Sequence, residues 1–171
     1  MAGGLGISAL FVLAASRTWI VADAPNAAIA SQRHLSASAT EVAPEVSALA
    51  LVGLVAWGVV LVTRVKGRRA ALLVGFAAQV AALAFAGISV WGGRGASTVD
   101  QLTGAATEVT WGWSAWTWTA LATGVVAVAL AGYAFWTCST WPAMSRKYDA
   151  PGGAPPEDPW KQLDAGIDPT E

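Results

Sequence analysis

The chain has 171 residues, of which 55% are hydrophobic and only 12% are charged. A soluble domain is normally about a quarter charged, so this composition favours an integral membrane protein. The formal net charge of −1 argues against a nucleic-acid-binding protein. A single cysteine and a single histidine argue against a disulfide framework and against a cysteine or histidine metal centre, and we expect no metal and no cofactor.

Four long apolar stretches account for most of the sequence. Each has about 18 to 22 residues. A helix of that length rises about 27–33 Å, which matches a hydrocarbon core about 30 Å thick. The pattern predicts an all-α fold: residues 1–145 form an integral membrane bundle of four transmembrane helices, and residues 146–171 form a mostly disordered cytoplasmic tail. The predicted spans are residues 5–22, 46–63, 70–91 and 115–136.

The first stretch also has features of a signal peptide, because Ala22-Asp23-Ala24 has the small-x-small form of a cleavage site. Two features favour a retained span. No basic residue precedes the apolar run, and Pro25 directly follows the cleavage position. We therefore expect a retained helix, with cleavage as the alternative. The same lack of basic residues leaves open whether translation starts at Met1.

Arginine and lysine are unevenly distributed between the two sides of the predicted bundle. The turn at residues 64–69 and the tail together carry seven of them, whereas the opposite side carries three, namely Arg17, Arg33 and Arg94. The positive-inside rule places the turn and the tail in the cytoplasm, and four spans then place the amino terminus there too. We expect a multi-pass protein of the cell membrane with both termini cytoplasmic. Of the two outer loops, the first, about residues 23–45, is expected to be irregular, and the second, about residues 92–114, to be a mobile turn that leads into Trp111.

Small residues mark the faces through which helices contact one another in lipid. In the third span, Ala78, Ala82 and Ala86 recur at four-residue intervals, and Gly53 lies in the second span. This spacing predicts close helix packing.

Ten tryptophans are present, and most lie where a predicted span meets water, including Trp19 near the end of the first span. Indole favours the headgroup layer, so we interpret these residues as an anchoring belt. The densest group should ring the start of the fourth helix and consists of Trp111, Trp113, Trp116 and Trp118. The alternative is an aromatic pocket for a ring-shaped ligand.

Two strongly polar residues lie well inside the apolar runs. Gln79, near the middle of the third span, is predicted to join two helices, and coordination of a passing substrate is the alternative. Arg17 can snorkel to the interface or form an ion pair with one of three acids, Asp23, Asp100 or Glu108. The spans have no row of Asp, Glu or His and no catalytic set, so we expect a protein that is not an enzyme.

The end of the tail has a helical pattern of its own. Asp158 can cap a short helix that begins at Pro159, with Trp160, Leu163 and Ile167 on one side. Such a two-turn helix is not stable alone in water, so it needs a partner surface, either the membrane or another protein.

This tail, with Trp141-Pro142 and Arg146-Lys147-Tyr148, resembles the tryptophan-biosynthesis-associated (tryptophan-operon) membrane protein family of actinobacteria. The Ser16-Arg17-Thr18-Trp19 segment and Arg68-Arg69 also resemble it. The family pattern ends in Trp…Leu-Asp-x-Gly-x-Asp-Pro-Thr, matched here by Trp160, Leu163, Asp164, Gly166, Asp168, Pro169 and Thr170. The resemblance implies a four-span membrane protein linked to tryptophan biosynthesis and implies no biochemical activity.

Two functions follow from these observations. The first is a non-enzymatic membrane protein that docks a cytosolic or membrane protein partner through its tail, with an enzyme of tryptophan metabolism as the candidate. The alternative is a small transporter or exporter of an aromatic metabolite, working as an oligomer, which is motivated by Gln79 and the tryptophan group at residues 111–118. In both cases the lipid bilayer is a partner and nucleic acid is not.

Overall fold

The computed structural model describes residues 2–25, 34–63, 65–103 and 109–138, all within one compact unit, Met1–Thr140. The elements, in chain order, are α1 (Ala2–Ala14), β1 (Thr18–Asp23), β2 (His34–Ser38), α2 (Ala39–Val42), α3 (Pro44–Val62), α4 (Val65–Trp91), α5 (Arg94–Thr103), β3 (Thr110–Trp113) and α6 (Ala115–Thr137). The fold is mostly helical. Its three strands nevertheless form a sheet, so the prediction of an all-α fold is wrong in this respect.

Three helices, α3, α4 and α6, are long and apolar enough to cross a membrane. They correspond to the predicted spans 46–63, 70–91 and 115–136, and α4 begins earlier than predicted, inside the expected turn. The predicted first span, 5–22, is wrong in its second half. There α1 ends at Ala14, and Thr18–Asp23 forms β1. The 13 residues of α1 rise only about 20 Å, less than the hydrocarbon core of about 30 Å.

The helical bundle has a core made largely of alanine. Helices α1 and α4 each pack against both α3 and α6. Phe11 of α1 is surrounded by buried alanines, which include Ala14, Ala50, Ala82, Ala86 and Ala120. Side chains this small let helix backbones approach closely, which drives helix association in lipid. The contact face predicted for the third span is confirmed, since Ala78, Ala82 and Ala86 are all buried.

At one end of the bundle lies an antiparallel three-stranded sheet in the order β2–β1–β3. Ile20 of the central strand lies opposite Ala37 on one side and Trp113 on the other. One face of the sheet is buried against α2 and α5, through Val42 and Val99 respectively. The loop 23–45, predicted to be irregular, therefore contains β2 and α2. The loop 92–114, predicted to be a mobile turn, contains α5 and β3.

Trp19 links α1, the sheet and α6. Its Nε1 donates to the carbonyl oxygen of Ala14 (3.0 Å), one of the groups left without a helical partner at the end of α1. Its own carbonyl oxygen accepts from the Ser114 N–H (2.8 Å) and from the Thr117 hydroxyl (3.0 Å). Trp19 is completely buried, so its predicted place in an interfacial belt is wrong.

The direction of each helix shows which segments lie at each end of the bundle. Helix α3 leads away from the sheet, α4 returns to it, and α6 leads away again. The start of α4, which carries Arg68 and Arg69, and the end of α6 therefore lie at the end opposite the sheet, which we call the basic end. Helix α1 runs toward the sheet, so its first residue points to the basic end.

Candidate functional site

The amide of Gln79 joins three helices in the core of the bundle. Gln79 on α4 is fully buried, and its Nε2 donates to the Ser8 Oγ of α1 over 2.8 Å. Gly53 of α3 lies directly against the same side chain: a Cβ at Gly53 would be 2.6 Å from Gln79 Cγ and 2.9 Å from Nε2. Position 53 therefore has space only for a hydrogen. The amide holds α4 to α1 and allows α3 to approach both.

The other end of this amide has an unused acceptor. Gln79 Oε1 is buried, and within the described ranges it has no hydrogen-bond partner. A buried acceptor without a partner costs about 1–3 kcal/mol. The site can therefore accept a hydrogen bond from a water molecule or a polar ligand in the bundle core.

A second close contact lies between α1 and α3. Trp57 is buried in α3, and its indole lies over Gly4 of α1. A methyl group at Gly4 would overlap the indole ring, whereas one at Gly3 would meet no atom within 4 Å. Gly4 thus allows α1 to pack against a large aromatic side chain on α3.

Arg17 contacts an aromatic ring. It lies in the bend between α1 and β1 with an exposed side chain, and its Cζ is 5.5 Å from the centroid of the Trp116 ring. This distance is within the range of a cation–π interaction. Among the residues that the structure describes, Arg17 has no ion pair with Asp23 or Asp100. Asp23 pairs instead with His34, and residue 108 lies outside the described residues.

The predicted tryptophan cluster is divided between two elements. Trp111 and Trp113 belong to β3, where their rings meet edge to face with centroids 5.8 Å apart and lie over Gly95 of α5. Trp116 and Trp118 lie on the first turn of α6 and are exposed. The expected ring of four indoles around the start of one helix is therefore wrong.

Polar interactions at the sheet end are local connections. Arg94 donates to Glu45 over 3.1 Å, which joins α5 to the start of α3. Glu41 accepts from the Ser38 N–H (2.6 Å) and from the Ser38 hydroxyl (2.8 Å), and these hydrogen bonds lower the pKa of the Glu41 carboxyl. Across the part of the chain that the structure describes, no group of three or more His, Cys, Asp or Glu could hold a metal ion.

Sequence reasoning identified Gln79 and Arg17 but missed their partners. Ser8 is a small polar residue in the apolar run of α1, and that position could have indicated a partner for a buried amide. Trp116 is far from Arg17 in sequence, and the pairing of β1 with β3 together with the packing of α1 on α6 brings their elements together. The predicted docking residues lie outside the described residues: Trp160, Leu163, Asp164, Gly166, Asp168, Pro169 and Thr170.

A family model described as tryptophan-associated transmembrane protein matches residues 2–170. The chain belongs to this family. The match confirms the resemblance that the tail residues suggested, and it extends over the bundle, the sheet and the tail motif. No curated protein and no solved structure shows significant similarity to the chain.

As a tryptophan-associated transmembrane protein, the chain resides in a lipid bilayer. Helices α3, α4 and α6 are its candidate spans. The buried amide and the Arg17–Trp116 pair are then features of a bundle surrounded by lipid, with the sheet beyond one end of the spans.

Proposed function

We propose that this member of the tryptophan-associated family is a non-enzymatic membrane anchor whose cytosolic tail docks an enzyme of tryptophan metabolism. The observation that carries the proposal is that the family match extends through the tail motif to residue 170. The spacing of Trp160, Leu163 and Ile167 predicts a short helix with these three residues on one side. A helix of two turns needs a partner surface to be stable, which favours docking.

The polar contacts of the bundle support a structural role for the membrane domain. The Ser89 hydroxyl donates to the Phe85 carbonyl of its own helix, and the Thr117 hydroxyl donates to the Trp19 carbonyl. In the described portions of α1, α3, α4 and α6, no Asp, Glu or His is fully buried. Proton-coupled carriers place such residues within the membrane, so this bundle is better suited to anchoring.

The charge distribution supports a cytosolic tail in a protein of the cell membrane. The basic segment at residues 64–69 and the end of α6 lie at the same end of the bundle. The positive-inside rule places that end in the cytoplasm, together with the amino terminus. The tail that follows α6 then begins on the side where cytosolic enzymes are found.

Pairwise binding in lipid nanodiscs tests the proposal. The full chain and a variant without residues 157–171 are each mixed with purified tryptophan-biosynthesis enzymes, and retention is measured. The full chain should retain one enzyme and the truncated chain none. Trp160→Ala with Leu163→Ala should also abolish retention, whereas the matched spacer variant Pro155→Ala with Pro156→Ala should not. Equal retention by the full and truncated chains would refute tail docking.

A second candidate is a carrier of an aromatic metabolite. The unpartnered Gln79 Oε1 favours it, because a buried acceptor can bind the N–H group of a ligand. Uptake of tryptophan and its precursors is measured in vesicles that contain the parent protein or Gln79→Leu. Carrier function predicts flux with the parent and reduced flux with the variant. Equal flux would remove this candidate.

A further inference from the structure

The backbone around Arg17 is held on both sides. Its N–H donates to the Ala14 carbonyl over 3.3 Å, and its carbonyl accepts from the Ala39 N–H over 3.0 Å. The guanidinium group reaches the Trp116 ring, 5.5 Å from its centroid. Arg17 is therefore positioned before any ligand binds, which lowers the conformational entropy lost on binding.

The pair lies at the end of a membrane span. Trp116 is in the first turn of α6, whose candidate span begins at Ala115. Its ring is 41% exposed, and that of Trp118 is 52% exposed. Exposed indoles at a span end lie in the headgroup layer, which is also where the phosphates of phospholipids are. Arg17 is thus at the depth of lipid phosphate groups on the sheet side of the membrane.

In the described part of the chain, Arg17 makes no ion pair with a carboxylate, that of Asp100 included. At this end of the bundle, three acids make other contacts: Asp23 with His34, Glu45 with Arg94, and Glu41 with Ser38. A guanidinium group in a cation–π contact with a ring keeps its planar set of N–H donors available for an acceptor on another side. These donors can bind two oxygens of one phosphate in a bidentate arrangement.

We propose that Arg17 and Trp116 form a binding site for the phosphate of an anionic glycerophospholipid in the leaflet on the sheet side. The guanidinium binds the phosphate oxygens, and the indole contacts the glycerol backbone and the upper part of the acyl chains. A lipid with net negative charge binds more tightly than a zwitterionic one, because the choline cation of the latter opposes Arg17. This site is independent of the tail.

Native mass spectrometry of the full chain in detergent, titrated with phosphatidylglycerol, tests the site. Arg17→Gln should weaken the apparent affinity about fivefold, the factor expected for one arginine at an anionic surface. Arg17→Lys should lie between the parent and Arg17→Gln, because lysine keeps the charge but loses the bidentate geometry. Unchanged affinity in Arg17→Gln overturns the proposal. Circular dichroism checks that each variant is folded.

Two further comparisons distinguish binding at this site from nonspecific lipid binding. Trp116→Leu should weaken binding of phosphatidylglycerol. Trp118→Leu, at a more exposed tryptophan on the same turn, should not. Equal effects of the two substitutions overturn the assignment to this pair. With the unmodified chain, phosphatidylcholine should bind more weakly than phosphatidylglycerol, and soluble glycerol 3-phosphate should not compete. Competition by glycerol 3-phosphate at equal concentration overturns the assignment to a lipid.

Discussion

Gly53→Ala places a methyl group where the Gln79 side chain already lies. The new Cβ would be 2.6 Å from Gln79 Cγ and 2.9 Å from Gln79 Nε2. Both distances are shorter than non-bonded carbon–carbon and carbon–nitrogen contacts. Either α3 moves away from α4, or the amide turns away from Ser8. Overpacking of this kind costs about 1–3 kcal/mol, and loss of the interhelical hydrogen bond adds about 0.6–2 kcal/mol. We expect a total loss of about 2–5 kcal/mol of unfolding free energy.

The assay is reversible unfolding in mixed micelles, in which circular dichroism follows helix content as the fraction of dodecyl sulfate rises. Gly58→Ala, on the same helix, is the matched control, since a Cβ at Gly58 would meet no atom within 4 Å. It should be neutral or stabilise the protein by up to about 1 kcal/mol, because alanine favours helix over glycine. Adding Gln79→Ala to Gly53→Ala removes the collision and should recover part of the loss. Equal unfolding free energies for Gly53→Ala and Gly58→Ala would refute the packing of α3 on Gln79.

Three other outcomes follow from the structure. Gly4→Ala should lower the unfolding free energy by about 1–3 kcal/mol in the same assay, because its methyl overlaps an indole. Gly3→Ala, which meets no atom within 4 Å, should be neutral or stabilise the protein by up to about 1 kcal/mol. Because the pKa of Glu41 is lowered in the folded protein, its carboxylate stabilises the fold at pH values above the unfolded-state pKa. This stabilisation is lost as the pH falls through the folded-state pKa. Glu41→Gln should therefore be less stable than the parent at neutral pH and equally stable in acid below both pKa values; a difference that persists in acid would contradict this assignment. In a cysteine-free background, Ser36→Cys at the sheet end and Arg69→Cys at the basic end should react with a membrane-impermeant maleimide added on opposite sides of the membrane. Labelling of both cysteines from one side would contradict the proposed topology.

The long membrane helices could be predicted from the sequence because length and hydropathy alone define them. Helices α3, α4 and α6 each contain an apolar run long enough to cross a hydrocarbon core. The alanine face of α4 could also be predicted, since its four-residue spacing follows directly from the geometry of a helix.

The first span was mispredicted because hydropathy does not distinguish a buried strand from a helix. Thr18-Trp19-Ile20-Val21 is apolar enough to extend the run, yet β-branched and aromatic residues also favour strands. One partner strand, β2, follows closely in sequence, but the other, β3, lies far away at Thr110–Trp113. A sheet that combines such distant segments cannot be recognised from local patterns.

The candidate sites were predicted only in part, because their partners are distant in sequence. Gln79 and Arg17 are visible as polar residues in apolar surroundings. Their partners depend on tertiary structure, since Ser8 is 71 residues from Gln79. The cation–π contact of Arg17 with Trp116 likewise requires the β1–β3 pairing, which no local feature of the sequence reveals.

The bonds of Trp19 have a consequence for biogenesis. Thr117, whose hydroxyl binds the Trp19 carbonyl, is 98 residues further along the chain. A ribosome therefore delivers the first helix to the membrane long before its final partner exists, and β1 has no β3 to pair with during that interval. The earliest segment can reach its mature arrangement only after the last hydrophobic segment has been synthesised. The sheet can therefore be completed only after β3 has been synthesised. A chain truncated before β3 retains an unpaired strand edge that quality-control proteases can recognise.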